Sequence, residues 1–474
     1  MKSNIIGRRK EQDLLEQIYN SDKSEFVAVC GRRRIGKTFL VKEFFEGKIV
    51  FQTSGMSNQG MKEQIATFYK ELRYQGAKSD FPPKTWNDIF FMLRSFLESM
   101  GNRRKVVLLD ELPWMDTPRS GFISALEYFW NVWASSQHNI VLVVCGSSTS
   151  WMMDKLINNH GGLHNRLTRQ LFLEPFNLNE CEEYFLSKNF HLSRYEMSEY
   201  YMIFGGVPYY LEMLQSHLSL AQNIDNLLFR PNGPLHNEFD NLYRALFHNS
   251  SEYIDLVKAL SSRKHGMTRN EIVEALKIKS GGRLTQIINN LINCGFIKKQ
   301  VLFSGNKSEK EILQLVDFFT LFYFNHMQKN TSTDYWTTIQ GKPEFFNWAG
   351  NTFKLLVASH VEAIKQKLGI SGIKTVVHGW RVKDEKGQSE IDLIIERSDN
   401  TANLCEIKFS VGQYEITKDY EKNLRNKINR FVNSAKRPKY VIMTMITTYG
   451  VQKGAHSGFV QNEIVLDDLF IPTS

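Results

Sequence analysis

The sequence contains no pair of cysteines in the C-x-x-C spacing that zinc sites and redox motifs use. Its five cysteines are far apart, and several lie in apolar runs typical of strands; they are Cys30, Cys145, Cys181, Cys294 and Cys405. Isolated core cysteines of this kind are typical of a reducing compartment. The pattern argues against a disulfide scaffold and predicts a cytoplasmic protein with free thiols.

Long hydrophobic runs are also missing. The longest, such as 318–324, are too short to cross a bilayer, so no membrane partner is expected. The first residues, Met1 to Ile5, open no apolar stretch of the kind found in secretory signal peptides, so none is expected. There is no internal repeat and no low-complexity segment. A length of 474 residues predicts about three domains.

Acidic residues are fewer than basic ones. The chain has 59 lysines and arginines against 50 aspartates and glutamates, which gives a formal net charge of +9. A basic chain favours an anionic partner, with DNA or RNA first, although the same charge can serve solubility alone. Composition therefore leaves a nucleic-acid partner and a protein partner both open.

The most informative stretch fits the pattern G-x-x-x-x-G-K-[ST]. It reads Gly31-Arg32-Arg33-Arg34-Ile35-Gly36-Lys37-Thr38, with an apolar run before it and a helical pattern after it. Glycines let backbone N–H groups turn inward around a phosphate, and a helix N-terminus adds partial positive charge. Lys37 is predicted to reach the terminal phosphates of ATP, and the Thr38 hydroxyl is predicted to ligate Mg²⁺.

Two further apolar runs end in polar side chains. The run 105–109 ends at Asp110 and Glu111, and the run 140–145 ends just before Ser147. Open α/β sheets place ligands at the carboxyl ends of such strands. Asp110 is predicted to hold Mg²⁺, and Glu111 to orient or deprotonate the attacking water. Ser147 is predicted to contact the γ-phosphate or the water, or else to be a turn residue.

A basic loop over 161–169 follows. Arg166 is predicted to act as a finger that neutralises transition-state charge, and the alternative is a solvated basic loop. His160 and His164 have helical spacing, but the two glycines between them break a helix. No metal pair is therefore expected there.

Two segments flank this core. Ile6 and Gly7 precede a helical pattern over 11–19 and are expected to lie against the adenine, although plain core packing is equally open for Ile6. A helical region over 178–204 ends in a Gly-Gly pair and Pro208, which mark a sharp turn before a new helix. A small helical lid ending near residue 245 is expected.

Four motifs together resemble the archaeal-type ATPase family, a branch of the AAA+/STAND class of P-loop ATPases. They are Ile6-Gly7-Arg8, the P-loop, Asp110-Glu111-Leu112-Pro113-Trp114 and Gly205-Gly206-Val207-Pro208. The resemblance covers roughly half the chain and implies a parallel sheet of the ASCE type. It also implies Lys37 and Thr38 on the phosphates and Mg²⁺, Asp110 and Glu111 as the Walker B acids, a sensor at Ser147, and Pro208 near the adenine.

Residues 252–302 follow the order of a winged helix. Helical patterns over 253–260 and 283–294 flank a second helix that a capping box opens at Thr268, and a wing starts near Phe296. The third such helix enters the major groove in helix-turn-helix folds, so base or phosphate contacts are predicted near its start, at Arg283, Thr285 and Gln286. The alternative is a packing module between the ATPase and the tail.

The C-terminal part contains two strand patterns, 391–396 and 404–409. A hairpin closing near Asn400 would bring Asp392 close to Glu406 and Lys408, and alternation puts the last two on one face. Two carboxylates and a lysine that converge at a strand pair can hold a divalent metal and steady a hydroxide. The alternative is an ordinary solvated face.

The wider tail has an αβββαβ-like order, with helices expected over 353–368 and 420–431. This order resembles the PD-(D/E)XK nuclease fold, and the whole tail looks like the DUF234-type domain that often follows this ATPase. The resemblance implies Asp392 and Glu406 as metal ligands, assisted by Lys408. The nuclease fold often has a glutamate on its first helix, where this chain has Lys354. A weak or silent nuclease is therefore expected.

The sequence predicts an α/β fold in five parts: a P-loop NTPase core with a parallel sheet (1–175), a helical lid (176–245), a winged helix (250–305), a helical connector (306–347) and an α/β nuclease-like domain (348–474). The predicted function is Mg²⁺-dependent ATP binding and hydrolysis, coupled to a tail that faces nucleic acid. Two alternatives stay open: an ATP-gated switch that binds DNA or a protein with little turnover, and a nuclease whose access the ATPase controls. An oligomer is compatible with each.

Overall fold

The computed structural model describes residues 4–78, 81–157, 165–247, 249–304, 308–384, 387–434 and 440–472. The chain forms two compact units, Met1–Pro175 and Phe176–Ser474. All five cysteines are free and buried, as predicted.

The first unit is built on a five-stranded parallel sheet with the order β2-β3-β4-β1-β5. Its strands are β1 (Glu25–Cys30), β2 (Ile49–Ser54), β3 (Lys105–Asp110), β4 (Ile140–Gly146) and β5 (Arg169–Phe172). The apolar runs that predicted β1, β3 and β4 form its centre, because a strand covered on both faces needs apolar residues throughout. The predicted α/β class with a parallel sheet is confirmed.

Helices cover both faces of this sheet. They are α1 (Arg9–Tyr19), α2 (Lys37–Phe44), α3 (Met61–Tyr74), α4 (Trp86–Glu98), α5 (Phe122–Val132) and α6 (Thr149–Met152). Successive residues of β1 alternate between two cores: Phe26 and Ala28 pack with the aromatic residues of α3, α4 and α5, and Val27 and Val29 pack with α1 and α2. This alternation follows from the two-residue repeat of a strand.

The second unit begins with helices. They are α7 (Leu178–Ser187), α8 (Arg194–Phe204), α9 (Pro208–Leu211), α10 (Leu220–Ile224) and α11 (Glu238–Leu246). The single helical region predicted over 178–204 is two helices. The second helix starts where Ser193 accepts a hydrogen bond from the Glu196 amide in a capping box.

Three helices and a hairpin follow, in the order predicted for a winged helix: α12 (Ser250–Ser261), α13 (Arg269–Leu276), α14 (Gly282–Asn293), β6 (Ile297–Ser304) and β7 (Ser308–Leu315). The prediction of a helical connector over 306–347 is wrong for its first part, because β7 pairs with β6. The rest of that segment contains α15 (Phe318–Phe322), α16 (Tyr335–Ile339) and the start of the next helix.

The tail has helices on a mixed sheet: α17 (Pro343–Ser359), α18 (Val361–Lys367), β8 (Thr375–Asp384), β9 (Gly387–Arg397), β10 (Thr401–Lys408), α19 (Lys418–Ser434), β11 (Tyr440–Thr447) and β12 (Asn462–Val465). The strands run in the order β12-β11-β10-β9-β8-β6-β7, so the β6–β7 hairpin extends the sheet of the tail. The single helix predicted over 353–368 is broken at His360. There the imidazole accepts a hydrogen bond from the Leu178 amide, 3.1 Å away.

Candidate nucleotide site and a second carboxylate cluster

The loops after β1, β3 and β4 meet at one edge of the parallel sheet, because the strands are neighbours and run in the same direction. The P-loop follows β1, the acids Asp110 and Glu111 end β3, and Ser147 follows β4. This edge is where open α/β sheets bind ligands.

The P-loop backbone needs its glycines. Gly31 has φ 143°, and a Cβ there would lie 2.5 Å from the Leu173 carbonyl oxygen. Gly36, at φ 87°, caps the N-terminus of α2 in the left-handed region. Arg34 also has a positive φ, 76°. The loop therefore turns sharply enough to direct backbone N–H groups at one point, which is how an anion-binding nest is built.

The side chains of the loop divide between the core and the surface. Ile35 is buried in the cluster between the sheet and α2, and Arg32 is buried, whereas Arg33 is exposed. The Lys37 ammonium is buried and donates hydrogen bonds to the carbonyl oxygens of Gly31 (2.9 Å) and Arg32 (3.0 Å). Burial lowers the pKa of Lys37, and the carboxylates of Glu111 and Asp110 oppose that effect. A buried cation facing the loop centre is suited to an anionic ligand.

Thr38 and Asp110 come together from different elements. The Thr38 hydroxyl lies 2.8 Å from Asp110 Oδ2, although the residues are 72 positions apart in sequence. The other oxygen, Oδ1, accepts a hydrogen bond of 2.9 Å from the Glu111 amide. A hydroxyl beside a carboxylate is an oxygen-only donor set, and it fits Mg²⁺ in the presence of nucleotide phosphates.

Glu111 occupies an unusual backbone conformation for a glutamate, with φ and ψ both 45°. Its carboxylate accepts hydrogen bonds from Ser147: 2.8 Å from the hydroxyl and 3.3 Å from the amide. Residues held in left-handed conformations by their surroundings cluster at functional sites. Ser147, predicted to touch phosphate or water, here touches the carboxylate predicted to activate that water.

The N-terminal segment reaches the P-loop through a residue to which sequence reasoning gave no role. Arg8 is buried at φ 55°, and its guanidinium donates a hydrogen bond of 3.4 Å to the Ile35 carbonyl. Ile6 is half-buried, and the Gly7 carbonyl accepts a hydrogen bond of 2.7 Å from Gln12. Arg8 stands in the quoted Ile6-Gly7-Arg8 motif, and that was its only signal. The contact fixes this segment beside the P-loop. A contact of Ile6 and Gly7 with an adenine stays a prediction.

Arg166 lies near the end of the sheet at which the strands begin, whereas the P-loop lies at the end where they finish. Arg166 precedes β5, whose first residue, Arg169, pairs in parallel with Val27 near the start of β1. The amide of Thr168 donates a hydrogen bond of 2.9 Å to the carbonyl oxygen of Phe26. The P-loop begins after the other end of β1, roughly 10–15 Å further along the strand. This position does not bring Arg166 to the P-loop of its own chain, and a finger role for Arg166 stays a prediction. His160 and His164 lie outside the described residues.

Pro208 belongs to the second unit, where it starts α9 directly after the glycine pair. Gly206 has φ 67°, and a Cβ there would lie 2.1 Å from the Phe176 carbonyl oxygen, so the turn requires glycine. A contact between Pro208 and an adenine stays a prediction.

The second cluster of charged residues lies on the hairpin of β9 and β10, which closes with Asn400 at φ 62°. The paired strands bring Asp392 and Glu406 to adjacent positions. Against β8, however, β9 has one extra residue between Ile391 and Ile394, and both of these isoleucines pack in one core cluster. A bulge of this kind redirects the side chain that it contains.

Asp392 is directed at the bulge toward α17. Its Oδ1 lies 2.6 Å from Lys354 Nζ, and its Oδ2 accepts a hydrogen bond of 3.0 Å from the Ile407 amide. Burial and the Glu406 charge raise the pKa of Asp392, and the Lys354 ammonium counteracts them. Lys354, noted in sequence only as the wrong charge for a metal ligand, thus neutralises one of the two carboxylates.

Glu406 instead faces α19. It accepts hydrogen bonds of 2.8 Å from the Tyr420 hydroxyl and 2.8 Å from Lys427 Nζ, and Lys408 Nζ lies 3.3 Å away. Burial disfavours its charged form, yet Lys427 and Lys408 hold the pKa of Glu406 below its usual range. Sequence reasoning missed Tyr420 and Lys427, although they fall on the buried helical stripe of Leu424 and Phe431.

The two carboxylates therefore have separate sets of partners. In the part of the chain that the structure describes, no group of three or more His, Cys, Asp or Glu side chains could hold a metal ion. Asp392 and Glu406 stand where metal ligands are expected, but they form ion pairs with Lys354, Lys408 and Lys427. The donor set fits ammonium groups better than a divalent cation.

Arg283, predicted to contact nucleic acid, and two basic residues of α19 have acidic partners. Arg283 Nε, at the start of α14, lies 2.7 Å from Glu252, and Arg425 on α19 lies 2.7 Å from Glu421. Lys427 is engaged with Glu406, as described above. Among the residues described, no helix is long and apolar enough to cross a membrane.

Comparison with known proteins gives a family match for the N-terminal part of the chain. Residues 6–214 match the model of an ATPase domain found predominantly in Archaea. A protein of Methanocaldococcus jannaschii described as uncharacterized is 25% identical over 415 residues, which cover 85% of this chain and 87% of that protein. An ATP-binding protein of the same organism, also described as uncharacterized, is 39% identical over 50 residues, or 10% of this chain and 85% of that protein.

Among solved structures, a Walker-type ATPase of Pyrococcus abyssi is similar, with 18% identity and a TM-score of 0.46. The alignment covers 68% of this chain and 97% of that one. The match over residues 6–214 coincides with the P-loop, the acid pair of β3 and the sheet edge that gathers them. Over these residues, the chain is similar to the ATPase domains found predominantly in Archaea.

Proposed function

We propose that the chain is a Mg²⁺-dependent ATPase whose nucleotide state controls the second unit. The observation that carries this proposal is the 2.8 Å contact between Thr38 and Asp110, at the sheet edge that also holds Lys37 and Glu111. A hydroxyl, a buried ammonium and two carboxylates at a P-loop are the groups that phosphoryl transfer needs.

Each group has a distinct role in this proposal. Lys37 faces the β- and γ-phosphates of ATP, and Thr38 and Asp110 hold the Mg²⁺. When bound, that ion neutralises charge on the phosphate oxygens. Glu111 accepts a proton from the attacking water, or orients it, and Ser147 fixes the Glu111 carboxylate for that task.

Phosphate release from ATP tests the proposal directly. The wild-type chain is assayed with and without Mg²⁺, and in the presence of DNA, RNA or neither, beside the Glu111→Gln variant as a matched control. We expect Mg²⁺-dependent release that the variant loses. Release at the same rate in wild type and variant would contradict the assignment.

An ATP-gated switch with little turnover is the second candidate. The observation that favours it is the pair of hydrogen bonds from Ser147 to one oxygen of Glu111, because they reduce the capacity of that oxygen to accept a water proton. The two candidates predict opposite effects for Ser147→Ala. Hydrolysis falls if the serine positions Glu111, and rises if the serine restrains it.

For the tail, we infer a nuclease-like frame that does not cleave. The supporting observation is the Lys354–Asp392 pair of 2.6 Å, which occupies a carboxylate that a nuclease would give to its metal. The rival, a nuclease whose access the ATPase controls, requires Mg²⁺- or Mn²⁺-dependent cleavage of DNA or RNA that Lys408→Ala abolishes. No such cleavage is expected from the wild-type chain.

Arg166 can serve as a finger only for the nucleotide of another copy, which requires an oligomer. Mixing Arg166→Ala with Lys37→Ala tests this, since each variant lacks a different half of a shared site. Recovery of hydrolysis on mixing two inactive variants supports an oligomer with a shared site. Full activity of Arg166→Ala alone returns Arg166 to the solvated loop.

A further inference from the structure

Two loops meet at the candidate nucleotide site, and each follows a strand of the parallel sheet. The loop after β3 starts at Glu111, and the loop after β4 leads from Ser147 into α6. Since β3 and β4 pair in parallel up to Leu109 and Val144, the two loops start side by side. The carboxylate of Glu111 accepts hydrogen bonds from Ser147. The contacts that hold one loop against the other therefore determine where this carboxylate lies.

The loops are closely packed where β4 ends. A Cβ at Gly146 would lie 2.9 Å from Cδ of Pro113 and 2.8 Å from the sulfur of Met152, so the close approach requires glycine. Leu112 and Met152 are buried in the same core cluster. Apolar packing has no preferred direction. It brings the two loops together but does not by itself fix their relative orientation.

A hydrogen bond between the loops supplies that orientation. The indole Nε1 of Trp151, on α6, donates to Oδ2 of Asp116 across 3.0 Å, although the two residues are 35 positions apart. Both side chains are partly buried. A hydrogen bond to a carboxylate is roughly twice as strong as a neutral one, and partial exclusion from water strengthens it further. The loops are thus joined by directed bonds at two points, Glu111 with Ser147 and Asp116 with Trp151.

The two points of contact are mechanically linked through the first turn of α6. The Thr149 amide donates a hydrogen bond of 3.0 Å to the Ser147 carbonyl oxygen, and the Met152 amide donates one of 3.1 Å to that of Ser148. Trp151 lies in this same turn. A displacement of Trp151 therefore carries Ser147 with it, and with Ser147 the hydrogen bonds that hold the catalytic carboxylate.

We propose that Asp116 and Trp151 are positioning residues for Glu111. Their hydrogen bond fixes α6 against the loop after β3, which holds the Ser147 hydroxyl at the Glu111 carboxylate and directs that carboxylate toward the attacking water. The inference rests on the proposed ATPase function, since it concerns the same site. Because the two residues act through Ser147 and not on the nucleotide, they should affect turnover and leave ATP binding unchanged.

The test is phosphate release from Mg²⁺-ATP by the full chain, with kcat and KM determined separately. Asp116→Ala removes the acceptor, and Trp151→Phe removes the donor but keeps an aromatic ring. Asp116→Asn is the conservative variant, because its amide oxygen can still accept the bond. Asp154→Ala is the matched control, since Asp154 is exposed and lies in the helical turn after α6. Thermal melting checks that each variant folds.

We expect Asp116→Ala and Trp151→Phe each to lower kcat by about tenfold with little change in KM, the scale on which an orienting hydrogen bond acts. Asp116→Asn should retain most of the turnover, and Asp154→Ala should behave as wild type. The double variant of Asp116→Ala and Trp151→Phe should lose no more than either single variant, because both remove the same bond.

The background of Ser147→Ala shows whether the pair acts through the serine. There Asp116→Ala should lower kcat by clearly less than tenfold, since the hydroxyl that it positions is already gone. An undiminished effect in that background, or wild-type kcat in Asp116→Ala and Trp151→Phe, would overturn the inference. If Asp116→Ala does not fold, Trp151→Phe provides the same comparison. A loss of turnover in Glu111→Gln would show that the ATPase function itself still holds.

Failure of the ATPase function would give a different result, because wild type and Glu111→Gln would then release phosphate equally. In that case, hydrogen exchange of the Trp151 indole proton tests the link between the two contacts. The proton is observed by NMR and assigned by its absence in Trp151→Phe. Faster exchange in Ser147→Ala than in wild type would support the link, and equal exchange would contradict it.

Discussion

The two charged clusters of this chain use the same residue types in opposite ways. At the P-loop edge, Asp110 meets a hydroxyl, 2.8 Å from Thr38, and the Lys37 ammonium is hydrogen-bonded to backbone carbonyls. On the hairpin of the tail, Asp392 meets an ammonium, 2.6 Å from Lys354, and Glu406 meets another, 2.8 Å from Lys427. In the first arrangement Asp110 is hydrogen-bonded to a neutral hydroxyl, whereas in the second each carboxylate is paired with an ammonium group.

The comparison shows that a pair of acids and a lysine does not define a metal site by itself. What decides the outcome is the charge of the groups that neighbouring elements bring to the carboxylates. At the P-loop those neighbours are a serine, a threonine and backbone amides. In the tail they are α17 and α19, each of which contributes a lysine. Substitutions at the P-loop cluster should therefore change ATP binding and hydrolysis, whereas substitutions at the tail cluster should change the stability of the fold.

The largest effect is expected at Lys37. Its replacement by alanine removes the cation that faces the terminal phosphates, so ATP affinity should be strongly weakened and kcat/KM should fall by about 10³-fold. Calorimetry at matched Mg²⁺ measures the binding, and phosphate release measures the turnover. Unchanged ATP affinity in Lys37→Ala would contradict the P-loop assignment.

Glu111→Gln should retain ATP binding and lower kcat by about 10²-fold or more, the scale of a lost general base. The amide keeps the shape of the side chain but cannot accept the proton of water. Single-turnover hydrolysis beside nucleotide binding separates the two effects. Wild-type turnover in the variant would remove Glu111 from the chemistry.

A smaller effect is expected at Ser147. Loss of its hydroxyl leaves Glu111 with only the 3.3 Å bond from the Ser147 amide, so kcat should fall by about tenfold with little change in KM. Ser148→Ala is the matched control, because Ser148 also follows β4 but makes no capping hydrogen bond with its side chain. A rise in kcat for Ser147→Ala would favour the switch with little turnover.

The tail should respond in stability. Lys354→Met leaves Asp392 buried without its ammonium, so the free energy of unfolding should drop by about 1–3 kcal/mol near pH 7; this is less than for a fully buried pair, since Lys354 is 40% exposed. A raised carboxyl pKa destabilises the folded state as pH rises through that pKa. The loss should therefore shrink as pH falls toward the ordinary value of 3.8.

Lys299→Met is the control for this stability prediction. Lys299 belongs to an exposed pair with Glu311, 3.2 Å apart, and should change stability by less than about 1 kcal/mol. Denaturant titrations of the full chain at several pH values measure all three proteins. An equal and pH-independent loss in both variants would mean that the Lys354–Asp392 contact has no special role.

Sequence alone predicted the parallel sheet and the edge at which the candidate site residues gather. The apolar runs of β1, β3 and β4 each end in a polar group, and parallel strands must gather those groups. Sequence alone could not place Arg166, because the next strand, β5, is short, lies at the edge of the sheet and has exposed polar residues. Only the pairing of Arg169 with Val27 shows that Arg166 lies near the start of β1, away from the P-loop. The pairing of β5 with β1, and not a sequence motif, determines where Arg166 lies.

The tail was harder to predict for the same reason. The start of β7, Ser308-Glu309-Lys310-Glu311, has no apolar residue to mark a strand, so only its pairing with β6 reveals it. At the break between α17 and α18, His360 accepts a hydrogen bond from the amide of Leu178, 182 positions away, which no local pattern predicts. Sequence identified Lys354 as a departure from the nuclease pattern, but its contact with Asp392 required the bulge in β9.

The most direct test of the contrast between the two clusters is a calorimetric titration of Mn²⁺ into the full chain, with and without ATP. Because Thr38 and Asp110 need nucleotide phosphates to complete a metal site, we predict one Mn²⁺ per chain only with nucleotide present, and its loss in Asp110→Ala. A Mn²⁺ that binds without nucleotide and disappears in Asp392→Asn or Glu406→Gln would contradict the account.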